Sequence, residues 1–379
     1  MDLIPQGGGG LFPNGGTGGT GQTPGSGGPA VGSSRYGFLV RRARLKLAGP
    51  VTDRADYTLQ LDAQSVGGVS VMDAYVNLGR VPVEGVTLRA GLFPPPFGFE
   101  LTNSSSVRES PERAFGFGAS ASDYPIFKTA QSSTGGVVTP GTVLPLFTGQ
   151  NREVGAMLVH EAPGAGKDRT RVSLGVFNGE GRATGGTRNA NDGLDIIARA
   201  ETTLADGHVG IGVSGYYGTL SVRSGPPAGT PLSPVAFRRA HRMLGGMDVR
   251  WRLSGGTQIR AEWAGGVFEA TPDRALYLEN NHAYAWNAVV RHPLSGRLDV
   301  VAKYDEYYPI AQTGRLAGGL GRMDLVRKTA HLGLLYHLDP ATRFRLWYMQ
   351  GLTPYDPSAG SGPLRRRLGL LTGEILVSY

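Results

Sequence analysis

The residues of this chain best suited to chemistry are cations set at every second position. In Val40-Arg41-Arg42-Ala43-Arg44-Leu45-Lys46-Leu47, period-two alternation puts Ala43, Leu45 and Leu47 on one face and Arg42, Arg44 and Lys46 on the other. Three cations on one wall of a strand repel each other, and burying them dry is costly. A water-filled space relieves that cost, and an anion within it relieves the cost further. The planar guanidinium fork offers paired donors to oxyanions, so these spacings suit anion binding. The competing reading pairs the same cations with carboxylates such as Asp62 and Asp73, which would stiffen the wall. Arg41 falls on the apolar face and fits the alternation only if the strand bulges there.

Other chemistries find less support. A hydrolase needs a nucleophile beside a base, or acid–base groups in a cleft. The seven histidines are scattered, with no His-x-x-x-His pair and no Gly-x-Ser-x-Gly elbow. Asp192 and Asp195 follow a loop and have the spacing of a calcium pair, but solvated loop acids are the simpler reading. Gly16 to Gly21 match the dinucleotide fingerprint formally, yet no strand precedes them and no helix follows. The chain has no cysteine, which excludes disulfides and thiolate metal sites. No metal or cofactor is expected. A net charge of +8 and a pI of about 9.7 ask for an anionic partner: nucleic acid, lipid headgroups or small anions. Nucleic-acid binding predicts basic residues gathered on one exposed surface among aromatics. Here they recur on one parity of many segments, so no nucleic acid is expected.

The elements that must carry these cations are strands. Tyr57 to Gln64 alternates strictly, apolar at odd positions and polar at even ones. Met72, Ala74, Val76 and Leu78 oppose Asp73, Tyr75 and Asn77. Val86, Leu88, Ala90 and Leu92 oppose Thr87 and Arg89. The same pattern sets Ile259, Ala261 and Trp263 against Arg260 and Glu262, Leu298, Val300 and Ala302 against Asp299 and Lys303, and Leu332, Leu334 and Tyr336 against His331 and His337. Short turns near Gly49, Gly79, Pro163, Asp206, Gly255, Pro293 and Asp339 alternate with longer connections, the longest from Phe93 to Gln150. Gly67-Gly68 is the one tight link on the long side. Short turns on one side and long loops on the other mark an outer-membrane barrel. Aromatics on the apolar faces, among them Trp251, Trp263, Tyr304, Tyr336 and Tyr348, suit an interfacial belt, and the chain ends on a strand with Tyr379. A mean hydropathy of −0.17 and the lack of any long apolar run leave no helix of membrane length. The 60 glycines and 25 prolines suit a chain with many turns.

Three stretches resemble the porin O/P family, the phosphate- and pyrophosphate-selective porins. They are Val40-Arg41-Arg42-Ala43-Arg44-Leu45, Met72-Asp73-Ala74-Tyr75-Val76, and Ala90-Gly91-Leu92-Phe93 leading to Pro96-Phe97-Gly98-Phe99-Glu100. Ser110-Pro111-Glu112-Arg113 stands where the family has a Glu-Arg pair in its third loop, and Gly175-Val176-Phe177-Asn178-Gly179 resembles another family stretch. The resemblance implies a sixteen-stranded barrel, usually a trimer, with the third loop folded inward. It also implies that Arg41, Arg42, Asp73 and Arg113 line a constriction. Two departures stand out. Arg223, Arg238, Arg239 and Arg242 do not form the family's basic ladder, and Arg44 adds a cation beside the motif.

These readings together predict an all-β transmembrane antiparallel barrel of about 16 strands in the cell outer membrane. Residues 1–35 form a Gly-rich flexible segment, and residues 36–379 form the barrel with an inward-folding loop over about 93–150. The expected function is passage of small anions, with phosphate and polyphosphate among the candidates, through sites at Arg41, Arg42, Arg44, Lys46, Asp73 and Arg113. A barrel enzyme of lipase or protease type and a plugged structural barrel are the alternatives. Expected partners are small anions, outer-membrane lipid, lipopolysaccharide and two further copies of the chain. From Tyr36 onward the pattern gives roughly fifteen strands, whereas single-chain bacterial barrels use an even number. An upward strand and a signal sequence encoded before Met1 would supply the deficit. Closure by Met1 to Phe12 acting as a strand, or a strand missed within residues 93–150, would supply it otherwise.

Overall fold

The computed structural model describes residues 2–3, 6–7, 34–35, 38–64, 68–117, 133–134, 137–138, 143–144, 152–179, 193–224, 236–269, 282–308, 310–311, 326–352 and 369–378. Most of the Gly-rich segment, much of the connection after Phe93, Asp192 and the side chains of Arg223, Arg238 and Arg239 lie outside the described residues.

Fifteen long strands carry the alternating segments. They are β1 (Ala43–Thr52), β2 (Ala55–Gln64), β3 (Gly68–Gly79), β4 (Val86–Phe93), β5 (Glu153–Pro163), β6 (Arg169–Phe177), β7 (Asp195–Leu204) and β8 (Val209–Ser224). Then come β9 (Ala236–Arg252), β10 (Gln258–Glu269), β11 (His282–Pro293), β12 (Leu298–Tyr308), β13 (Arg327–His337), β14 (Thr342–Gly351) and β15 (Gly369–Val377). Each pairs antiparallel with its neighbours in chain order, including β4 with β5 across the longest connection. Except for the three-residue link between β2 and β3, the short connections all fall at one end of the sheet.

An odd number of such strands makes β1 and β15 run the same way, and they do not pair with each other among the described residues. Asp2–Leu3 lies in the seam, antiparallel to both sides. Asp2 stands opposite Glu374 and Leu39, and Leu3 opposite Gly373 and Phe38. Phe38–Leu39 then leads into β1 through residues 40–42, which are not in strand. The long strands therefore do not close edge to edge.

Alternation sorts the side chains inside out relative to a soluble protein. Leu45, Leu174, Val213, Met247, Leu334 and Leu346 are exposed on the outer face, while Asp62, Arg199, Asp248, Lys303, Asp305 and Arg345 are buried within. Hydrocarbon outside accounts for this: it accepts the apolar belt and demands that backbone N–H and C=O groups pair between strands. Trp251, Trp263, Tyr336 and Tyr348 are exposed on the same outer face, as an interfacial belt requires.

One strand departs from the sequence reading. Gln60 opposes Asp73 while Leu61 opposes Val71, so Met72 is an extra residue, a β-bulge. Val69 and Val71 are exposed before it and Val76 and Leu78 after it. Met72 was expected on the outer face with Ala74, Val76 and Leu78; it is buried beside Asp73 instead. Apolar residues occupy both parities around the shift, so period two alone does not locate it.

Gly91 fixes how closely β3 and β4 approach. Its φ is +132°, and a Cβ there would overlap the Ala74 carbonyl oxygen and stand 2.7 Å from Tyr75 Cα. Gly91→Val is expected to cost roughly 2–4 kcal/mol through strain and backbone overlap. The fraction of chain that refolds in detergent, read from the gel mobility of unheated samples, should fall sharply. Wild-type refolding of this variant would contradict the packing.

Candidate functional site

The functional region begins where β4 ends. Pro94, Pro95 and Pro96 stop the strand, because none can donate to a ladder, and the chain turns into the lumen. Phe97, Leu101, Ala114 and Phe117 along this loop are fully buried. Gly98 N donates to Ser214 Oγ at 3.0 Å, and Phe99 N and Glu100 N donate to the two Glu262 carboxylate oxygens at 3.1 and 2.6 Å. Phe97 packs where Gly246 has no side chain; a Cβ there would stand 2.7 Å from the ring. Phe99 lies under the guanidinium groups of Arg250 and Arg260, and Arg260 also pairs with Glu109. Lys303 Nζ reaches the Glu112 carbonyl at 3.2 Å. Arg343 and Arg345 both donate to the Arg108 carbonyl at 2.9 Å.

These attachments lean the loop on β8 to β14. That side of the interior is packed, with Val289, Val301, Leu335 and Trp347 forming a buried apolar cluster. Among the described residues, the opposite side is open. A cavity of about 820 Å³ runs along the inner wall of β1 to β7 and reaches the seam beside β15. Arg171 and Glu201 lie near the short-turn ends of β6 and β7, so the cavity extends from the loop toward that end of the barrel.

The predicted residues fall around this cavity in three different ways. Arg41 and Arg42 lie in the break before β1, which lets consecutive side chains turn inward. Arg41 Nε meets Glu112 Oε1 at 2.9 Å, and Arg42 Nη2 meets Glu112 Oε2 at 2.7 Å. Arg44 pairs with Asp62 at 3.1 Å and donates to Ser105 Oγ at 2.7 Å, so carboxylate pairing does occur on this wall. Asp73 is held by Arg152, with 2.9 Å between Nε and Oδ1. Lys46 lines the cavity. Arg113 does not line it: Nε donates to the Glu100 carbonyl at 3.0 Å, and Nη2 donates to those of Leu101 and Asn103 at 3.3 and 2.8 Å. Arg113 braces the loop from within. Asp195, which read as a loop acid, is buried at the start of β7 and paired with Arg242 at 2.8 Å. Arg242 belongs to that pair rather than to a ladder along the pore.

Sequence reasoning missed Arg152 and the role of Glu112. Arg152 precedes a strand by one residue and carries no periodic signal. Burial alone would raise the Glu112 carboxyl, but Arg42 and then Arg41 outweigh it and hold the group at about 2. It is therefore a fixed negative charge between two guanidinium groups.

Charge on the cavity wall is unequal. Arg41, Arg42, Arg44 and Lys46 stand on the β1 side. Arg89, Arg152, Arg171 and Arg199 stand across from them. Among the described lining residues, only Asp73, Glu201 and Glu374 are acidic. Among the described residues, no group of three or more His, Asp or Glu side chains suits a metal ion.

Comparison with known proteins agrees with this geometry. Residues 32–221 match the model of the family described as phosphate-selective porin O and P. The anion-selective porin from Comamonas acidovorans is similar in structure, with a TM-score of 0.53, 13% identity, and coverage of 92% of this chain and 93% of that one. A loop L8 deletion mutant of OmpT, an outer membrane protein of Vibrio cholerae, gives 0.53 at 10% identity over 91% and 92% of the two chains. The outer membrane channel DcaP of Acinetobacter baumannii gives 0.51 at 12% identity over 92% and 88%. At these identities the structures share the fold. No curated protein sequence matches the chain.

Proposed function

The chain belongs to the phosphate-selective porin O and P family, and from that premise we propose that its cationic cavity is the anion path of an outer-membrane porin. Membership favours a channel over an enzyme, with its apolar belt in the outer membrane. One observation carries the assignment of the path: basic side chains outnumber acidic ones eight to three around the space the loop leaves open. A narrow wet passage with that imbalance concentrates anions and repels cations. Among the described residues, the loop leaves a cavity along β1 to β7, which favours a pore over a plugged barrel. Arg41, Arg42 and Arg44, with Asp73 and Arg152, form the narrow part beside the loop, and Lys46 lies below it. Arg113 acts by holding the loop's shape. A solved form of Vibrio cholerae OmpT is a trimer, and we extend that assembly to this chain, with lipid and lipopolysaccharide around it.

Arg42→Glu tests the path. The change reverses a charge that faces Glu112 at 2.7 Å and Glu374 at 3.9 Å. Anion preference should drop by about fivefold or more, the local effect of a unit charge at contact distance in water. Arg297→Glu, in an exposed short turn, should change it little. Equal effects of the two changes on the reversal potential would remove the case for a path along β1.

A further inference from the structure

We propose that Lys46, Arg89 and Tyr75 form a second anion subsite, below the constriction, that takes carboxylates with a flat apolar body, aromatic acids above all. The proposal rests on the anion path argued above and names what lodges in it. Its starting point is that the constriction cations already have anionic partners. Arg41 and Arg42 share Glu112, Arg44 holds Asp62, and Arg152 holds Asp73. Inorganic anions passing these groups compete with carboxylates fixed in the wall.

Two inward positions of the same wall differ. Lys46 follows Arg44 by one period toward the short turns, and among the described residues its ammonium has no ion-pair or hydrogen-bond partner. Arg89 has no carboxylate within ion-pair distance among them; its Nε donates to the Asn77 side-chain oxygen at 2.8 Å. Its guanidinium lies 4.4 Å above the Tyr75 ring and 5.7 Å from that of Phe93. Tyr75 is held edge-on to Phe93, with centroids 5.9 Å apart, and Phe93 likewise to Phe177 at 5.5 Å. The ring at the cavity wall is therefore fixed by two more behind it.

Apolar surface lies among the polar groups of this wall, which include Gln60, Asp73, Arg171 and Ser173. Met157 stands opposite Arg89 in the β4–β5 register, and it lines the cavity together with Pro94 and Pro96. Phosphate carries acceptors on every side, so it would lose hydration against the Tyr75 ring and the proline surface. A benzoate-like anion divides as the wall does. Its carboxylate meets the Lys46 ammonium and the Arg89 fork, and its ring meets Tyr75 and proline surface.

Chloride current through the full-length protein in planar bilayers tests this, with benzoate, acetate or inorganic phosphate added on both sides. Acetate has the charge without the ring. Benzoate should halve the current at a concentration about threefold below that of acetate, the discrimination expected of one ring contact at a solvated site. Tyr75→Leu should abolish that advantage, whereas Lys46→Gln should weaken block by both. Equal block by benzoate and acetate in the wild type would overturn the subsite, and so would a benzoate advantage that survives Tyr75→Leu. The wild-type comparison stands even if a variant fails to fold. A cation-selective wild-type channel would sink the anion path itself; an anion-selective channel indifferent to the ring would sink only the subsite.

Discussion

Replacing Glu112 by Gln is expected to raise the chloride-over-potassium permeability ratio by about fivefold, because a unit charge at about 4 Å in water contributes about 1 kcal/mol. Glu112 is the shared counter-charge of Arg41 and Arg42. Removing its charge takes away the counter-ion that Arg41 and Arg42 share, while Glu374 stays 3.9 Å from Arg42. The pH dependence has a definite sign. The Glu112 carboxyl is held at about 2, below its ordinary 4.5. The difference in reversal potential between wild type and Glu112→Gln should thus persist from neutral pH to about 3 and close as pH falls through about 2. Its contribution to loop docking follows the same direction: complete above the ordinary carboxyl range, lost on descent through about 2. A difference that vanished near pH 4.5 would show a carboxyl unpaired in the working channel.

Phe97→Ala should free the loop. The ring is fully buried and sits against the bare backbone of Gly246. Deleting such a ring typically costs about 3–5 kcal/mol, more than any one of the loop's neutral hydrogen bonds contributes, at about 1 kcal/mol each. Those bonds to Ser214 and Glu262 begin at Gly98, the next residue, so the loop's first anchors loosen together. Single-channel conductance should rise and become noisy, and protease should cut between residues 97 and 117 in the folded barrel. A quiet channel of wild-type conductance would mean that the charged contacts to Lys303, Arg343 and Arg345 hold the loop without Phe97.

The strands were legible in the sequence because a lipid face and a wet face force period two on every spanning segment. Leu45 and Leu47 against Arg44 and Lys46 show this in four residues. The sorting of turns and loops was legible because each short turn has its own Gly, Pro or Asp signal. The partners were not. Arg42 and Glu112 are 70 residues apart, Arg152 and Asp73 are 79, and Lys303 and Ser110 are 193. Those pairs depend on the path of a loop that has no period, fixed by where Phe97 and Glu100 find room on the far wall. Resemblance placed Arg113 in the constriction, yet its guanidinium is taken by three loop carbonyls. The bulge at Met72 escaped notice for a simpler reason: Val69, Val71, Ala74 and Val76 read as alternation on either side of the shift.

The reversal potential of wild-type channels across a potassium chloride gradient tests the anion path most directly. With eight basic and three acidic groups on the open wall, chloride should carry most of the current and the potential should have the sign of an anion-selective pore. A potential near zero, or one of cation-selective sign, would contradict it.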